Sequence, residues 1–258
     1  MRLILNEKQI LDKSLNEGYI NKDKPSSTIR TLTKYYFSIG MNKPQIIDTI
    51  DKFLIQNLKD YNDVKWQKSI ENMVNYIHRK KDFKLLNIEN IKITENELNT
   101  ISRLNNIKYE KFAFSLLVYA KIYNQMNSKD ENWVNEEHKY IFSDAKVKTK
   151  VNEQGKILFY LKELGLVSFS PKVDSTNIKV NFVDNSSNIA LEINDFREFV
   201  LNYLRWKGEN ILNCEECGVL IIPTNNKFKY CPTCAKEIQF NQKKEWDKTK
   251  RIRKIEKV

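Results

Sequence analysis

Four cysteines, all that the chain contains, fall within 21 residues near its C-terminal end. They form two C-x-x-C pairs, Cys214-Glu-Glu-Cys217 and Cys231-Pro-Thr-Cys234, with thirteen residues between them. Two thiolates at this spacing chelate one metal through a tight knuckle. Two such knuckles close a tetrahedral four-sulfur site, the geometry of structural zinc. Gly218 follows the first pair, where a knuckle often needs a positive φ angle. A closed site leaves no coordination position for substrate, so the spacing points to one structural Zn2+ held by Cys214, Cys217, Cys231 and Cys234. Disulfides fit poorly in a reducing compartment, and a thioredoxin-like pair needs no second pair beside it. An iron–sulfur cluster also takes four cysteines and stays open as an alternative.

Between the pairs, Val219–Ile222 and Phe228–Tyr230 flank an Asn-Asn turn, which reads as a hairpin. After Cys234 comes a stretch without Gly or Pro that predicts a helix, completing a treble-clef-like order of knuckle, hairpin and helix. Its main apolar points, Ile238, Trp246 and Ile252, are too sparse for a long buried face.

The same tail concentrates the charge. The chain of 258 residues carries a formal net charge of +11; residues 1–200 sum to +5 and residues 201–258 to +6. Asn241–Val258 alone hold eight cations and three anions. A basic excess placed this way suits a polyanionic partner, usually nucleic acid. Lys243, Lys244, Lys248, Lys250, Arg251, Arg253 and Lys254 are the candidates for phosphate contact. A solvated, frayed terminal helix is the plainer account of the same residues.

Residues 108–183 suggest a second module. A strongly apolar helix ends near Met126, Asn135 is placed to cap a second helix, and Thr149 to cap a third over about Lys150–Leu164. Ile157, Leu158, Leu161 and Leu164 share one face of that third helix, and Gly165 stops it. Alternating runs at 166–169 and 178–183 predict two strands. Three helices followed by a hairpin is the winged helix-turn-helix order. The third helix would then present Lys148, Thr149, Lys150, Asn152, Gln154 and Lys156 to a major groove, with Lys172 in the wing. Winged helices also serve as protein-binding modules.

The N-terminal part reads as helical. Candidates are Asn6–Glu17, a helix capped by Ser26 or Ser27 and stopped by Gly40, one opened by Asn42 and Pro44, and Asp63–Lys80. Val64, Ile70, Val74 and Ile77 form the expected buried stripe of the last of these. Thr94 and Glu97 make a capping box. Tyr35, Tyr36, Phe37, Phe53, Trp66 and Tyr76 read as core aromatics. His78 and His138, the two histidines, read as surface residues.

Several phrases together resemble a group of proteins carried by Gram-positive phages, prophages and other mobile elements. They are Trp133–Ala145 (WVNEEHKYIFSDA), Leu161–Leu166 (LKELGL), Asn194–Gly218 (NDFREFVLNYLRWKGENILNCEECG) and Lys229–Ile238 (KYCPTCAKEI). In that group a winged-helix-like region precedes a four-cysteine module, and the resemblance covers about residues 105–240. Leu32–Leu54 is similar to helical modules found beside primase and replication domains. What the resemblance implies is a DNA-related setting rather than a reaction.

The expected architecture is therefore mainly α with small β-hairpins. It comprises a helical N-terminal domain (1–107), a winged helix-turn-helix (108–188), a connecting strand and helix (189–210) and a treble-clef-like zinc finger with a basic terminal helix (211–258). No phosphate-binding loop, H-E-x-x-H or nucleophile–base pattern is present, so the chain reads as non-enzymatic. The expected role is DNA binding in transcription regulation or replication, most simply on double-stranded DNA. A host or phage protein is the alternative partner. No signal peptide or membrane span is predicted, which suits the cytoplasm.

Overall fold

A computed structural model describes residues 3–21, 24–172, 175–225 and 228–255, with side chains described as far as Lys248. The chain forms two compact units, Arg2–Glu89 and Asn90–Val258.

The first unit is a four-helix assembly: α1 (Glu7–Glu17), α2 (Pro25–Ser38), α3 (Lys43–Asn57) and α4 (Asp63–Lys80). Asparagine side chains open three of them. Asn6 accepts from the Gln9 N–H, Asn42 from Gln45 in a reciprocal box, and Asn62 from Lys65. Gly18 ends α1 in the left-handed region at φ 65°, as a C-terminal glycine should. Helix α2 departs from expectation. It starts at Pro25, so Ser27 lies inside the first turn and donates to the Lys24 carbonyl over 2.7 Å instead of capping. Leu11, Ile29, Leu32, Ile46, Ile50, Leu54, Ile70 and Val74 form the core. Tyr35, Tyr36, Phe37, Phe53 and Trp66 pack against it. Two assignments fail: Val64 is 88% exposed because it falls outside the Ile70–Val74–Ile77 stripe, and Tyr76 is 45% exposed.

The second unit begins with β1 (Ile91–Thr94) and α5 (Glu95–Ser102), so it starts before residue 108, ahead of the boundary expected from sequence. The reason is long-range pairing. Strand β1 runs antiparallel to β5 (Ile189–Ile193), with Ile91 opposite Ile193. Glu97 caps Thr94 from α5, accepts the Asp184 N–H over 2.8 Å, and ion-pairs with Lys121 at 2.8 Å, all out of solvent.

Lys121 belongs to α6 (Ile107–Asn127), buried on nearly every side from Phe112 to Ile122, which makes it the central helix of the unit. No helix among the described residues is long and apolar enough to cross a membrane. After α6 come β2 (Trp133–Val134), α7 (His138–Asp144), α8 (Val151–Glu163), β3 (Val167–Phe169) and β4 (Ile178–Val180). The three strands form one antiparallel sheet in the order β2-β4-β3. Helix α7 packs Phe142 on Phe112 with ring centroids 3.9 Å apart. Helix α8 buries Ile157, Leu158 and Leu161, while Leu164 is 50% exposed.

Neither expected cap of these helices forms. Glu137 precedes α7 without a side-chain cap, its carboxylate pairing with Lys139, and Asn135 instead offers its carbonyl to the Tyr123 hydroxyl. Lys150 occupies the cap position of α8, also without a side-chain bond. The Thr149 hydroxyl is buried and has no hydrogen-bond partner among the described residues.

Helix α9 (Val200–Trp206) follows β5 and lays Tyr203 against Phe114 of α6. Buried Glu110 receives both the Tyr203 hydroxyl at 2.9 Å and the Lys207 ammonium at 2.6 Å, joining α6 to α9. The unit ends in β6 (Leu212–Asn213), β7 (Leu220–Ile221) and α10 (Pro232–Ile255).

Candidate metal centre and exposed basic surfaces

The cysteine cluster is organised by a hairpin, though not the expected one. Strand β7 pairs with β6, so the hairpin encloses Cys214 and Cys217 rather than joining the two cysteine pairs. Among the described residues, Phe228–Tyr230 is not a strand, and Phe228 closes a turn onto the Asn225 carbonyl. Asn226 lies outside the described residues. Inside the knuckle, Cys214 N–H donates to Val219 and Gly218 N–H to the Cys214 carbonyl, at 2.8 and 2.9 Å. Gly218 takes φ +75°, and Asn213 Nδ2 holds its carbonyl from the side.

The second pair enters from α10. Cys231 directly precedes the helix and Cys234 sits in its first turn, where the helix dipole favours anions. The Glu215 N–H to Lys229 carbonyl bond, 3.0 Å, ties the two halves together. All four sulfur atoms then lie within 4.8 Å of one another, and Cys217 and Cys231 are 3.8 Å apart. A tetrahedron with metal–sulfur bonds of about 2.3 Å has edges of about 3.8 Å, so the cluster has the dimensions of a four-sulfur site. The cluster is also the core of its module, with Val219 and Ile221 beside the sulfurs and Phe228 and Tyr230 against them.

Backbone groups favour the thiolate form at Cys214. Cys231 N–H points at Cys214 Sγ over 3.2 Å, and Cys234 N–H at Cys231 Sγ over 3.4 Å. Burial raises the Cys214 thiol, but N–H groups of Cys217, Cys231 and Glu216 outweigh it and bring the value down to about 6. Cys234 is raised, first by its bond to Cys231 and then by burial. A metal ion held by Cys214, Cys217, Cys231 and Cys234 would displace the thiol protons and keep all four as thiolates.

Two partners missed by sequence reasoning hold the knuckle in place. Arg197 grips Asp195 and donates to the Cys217 carbonyl over 2.8 Å. Arg205 donates to Asn213 Oδ1 at 2.7 Å. No local spacing links either arginine to the cysteines, so only the folded chain reveals them.

The predicted nucleic-acid contacts divide into three groups. Lys148, Lys150, Asn152 and Lys156 are exposed around the N-terminal half of α8, and Gln154 is half-exposed. Thr149 does not join them, since its hydroxyl faces inward. Lys172 is exposed in the loop between β3 and β4. On α10, Lys243, Lys244 and Lys248 are exposed, whereas the side chains of Lys250, Arg251, Arg253 and Lys254 lie outside the described residues, as does that of Ile252. Ile238 is half-buried, and Phe240 and Trp246 are 68% and 60% exposed, so α10 offers no buried face between Phe240 and Lys248. His78 is exposed and His138 half-buried, the latter with Nε2 2.8 Å from the Thr176 carbonyl.

Comparison with known protein families, curated proteins and solved structures gives no match.

Proposed function

We propose that this chain is a non-enzymatic nucleic-acid-binding protein that uses a structural zinc ion, of the kind phages and mobile elements employ as DNA-binding regulators or replication factors. The observation that carries the reading is the exposed end of α8. There Lys148, Lys150, Asn152 and Lys156 project beside a helix N-terminus that lacks a side-chain cap. Such an end supplies free N–H groups and positive potential to a phosphate. The helix–strand–helix–helix–strand–strand order, with β4 central, supports a winged helix whose recognition element is α8 and whose wing is the β3–β4 loop carrying Lys172. Zinc is the favoured metal because four thiolates at tetrahedral spacing, closed to substrate, suit it best. Cys214, Cys217, Cys231 and Cys234 would hold it, and it would fix the start of α10 against the β6–β7 hairpin. The lysines of α10 then extend a phosphate-binding track.

A mobility-shift series over double-stranded DNA, single-stranded DNA and RNA tests the reading. Binding with steep salt dependence is expected, strongest on duplex DNA; absence of binding to all three at low salt refutes it. Lys150→Ala and Gln154→Ala should change sequence preference. Charge reversal at Lys243, Lys244 and Lys248 should weaken all sequences alike.

One observation favours a second reading. Val151 and Phe159 of α8 are 79% and 55% exposed, which suits a protein partner better than a phosphate backbone. A host factor retained through nuclease treatment and high salt would support that alternative.

A further inference from the structure

Helix α4 carries a charged face that these contacts do not use. Its buried residues Ile70, Val74 and Ile77 mark one side. At about 100° per residue, Lys65, Lys68, Asn72, Asn75, Tyr76 and Arg79 fall together on the other side, within an arc of about 100°. All six are exposed. The stripe is about 21 Å long at the rise of an α-helix. Lys43, at the start of α3, reaches it and donates to Asn75 Oδ1 over 3.2 Å.

Helix stability does not account for this face. Cations in the last turn interact favourably with the helix dipole, which would explain Arg79. Lys65 and Lys68 lie in the first two turns, where the dipole disfavours them. Among the described residues neither they nor Arg79 forms an ion pair. Lys65 Nζ lies 5.5 Å from the Trp66 ring centre. Glu71, beside the stripe, is bonded to Gln67 instead.

We propose that the outer face of α4 is a second nucleic-acid contact surface. Lys43, Lys65, Lys68 and Arg79 would meet phosphates, while Asn72, Asn75 and Tyr76 supply uncharged donors to phosphate or sugar oxygens. Charge complementarity selects a polyanion. Val64, 88% exposed, borders the stripe at one end, but a single valine is not the continuous apolar flank that an anionic lipid surface would need, so the amides and the tyrosine suit nucleic acid better. The inference rests on the chain being a nucleic-acid-binding protein.

The test uses the full zinc-loaded chain and a fluorescent 30-base-pair duplex, with affinity measured from 50 to 200 mM salt. Lys65→Gln, Lys68→Gln and Arg79→Gln are combined in one variant. Glutamine keeps helix propensity, and an unchanged melting curve verifies folding. A Lys150→Ala, Lys156→Ala variant runs beside it. The triple variant should lose about 0.9 of salt slope for each cation removed, and roughly tenfold or more in affinity, alike on unrelated sequences. If the unaltered chain binds neither this duplex nor single-stranded DNA or RNA of the same length, the parent reading fails. If it binds, the α8 variant weakens and the triple variant keeps full affinity and slope, this inference alone fails. Transfer of the triple variant's defect to phosphatidylserine vesicles, with DNA binding intact, overturns it in favour of a membrane surface.

Discussion

The Arg197 guanidinium donates to the carbonyl oxygen of Cys217 over 2.8 Å while it grips Asp195 with the same group. The knuckle is thereby tied to the segment ahead of α9 by a contact that involves no sulfur. Arg197 is 57% exposed, so its ion pair adds little stability. What it restrains is the knuckle backbone. With the proposed zinc bound, Arg197→Ala should speed its transfer to a coloured chelator by no more than about fivefold, the equivalent of one ordinary hydrogen bond. An unchanged release rate would remove this role.

Removal of the proposed zinc ion should act locally. The sulfurs are the core of their module, so Cys234→Ala, or exhaustive chelation, takes away most of what holds residues 211–235 together. Limited trypsin digestion should then cut within that segment, at Lys229 for example, while the bodies containing α2–α4 and α6 remain intact. Cleavage elsewhere at the same rate would contradict a local effect.

Glu97 should matter far more than its surface neighbours. It is fully buried, and its partner Lys121 is nearly so. Glu97→Ala leaves an uncompensated ammonium and frees the Thr94 and Asp184 N–H groups. A loss of about 3–5 kcal/mol is expected in urea unfolding. Asp48→Ala, which breaks an exposed pair with Lys52, should cost under about 0.5 kcal/mol.

Stability should fall in alkali. Burial, then donation to Asp144, holds the Tyr119 hydroxyl far above its ordinary value, and burial with donation to Glu110 does the same for Tyr203. A folded-state value raised above the unfolded value near 10 means stability is full below about pH 10 and is lost as pH climbs further. Melting temperatures from pH 8 to 12 should show this decline. Tyr119→Phe should start lower by roughly 1 kcal/mol and decline less steeply.

Gly155 separates stability from binding. It lies inside α8 with ordinary helical φ, and an added Cβ would meet nothing within 4 Å. Gly155→Ala should therefore stabilise the chain by about 0.5–1 kcal/mol. If α8 closely approaches DNA, the same change should weaken binding; greater stability with unaltered binding would place the contact elsewhere on the helix.

The elements that were legible in the sequence are those whose signal is local. Asn42 with Pro44, Thr94 with Glu97 and Gly18 each act within four residues of themselves, and each marks its helix end as expected. The cysteine spacing is equally local, and it brought four sulfurs together. Misjudgements arise where distant partners decide. Thr149 and Asn135 look like caps, yet the first turns its hydroxyl inward and the second serves Tyr123 by its carbonyl. Strand β2 has two residues and exists only because β4 accepts it. The hairpin at the metal centre was misplaced because Leu212 and Asn213 are no more strand-like than their surroundings until β7 lies beside them.

The β1–β5 pairing carries a consequence for synthesis. Some ninety residues separate Thr94 from Ile189. At roughly 5–20 residues per second, the ribosome needs on the order of 5–20 s to deliver the second strand after the first. Throughout that interval Ile91–Thr94 has no strand partner, an open edge of the kind that invites pairing with another nascent chain. Slowing or stalling translation between these codons should therefore raise the aggregated fraction, while the N-terminal helices, already complete, stay unaffected.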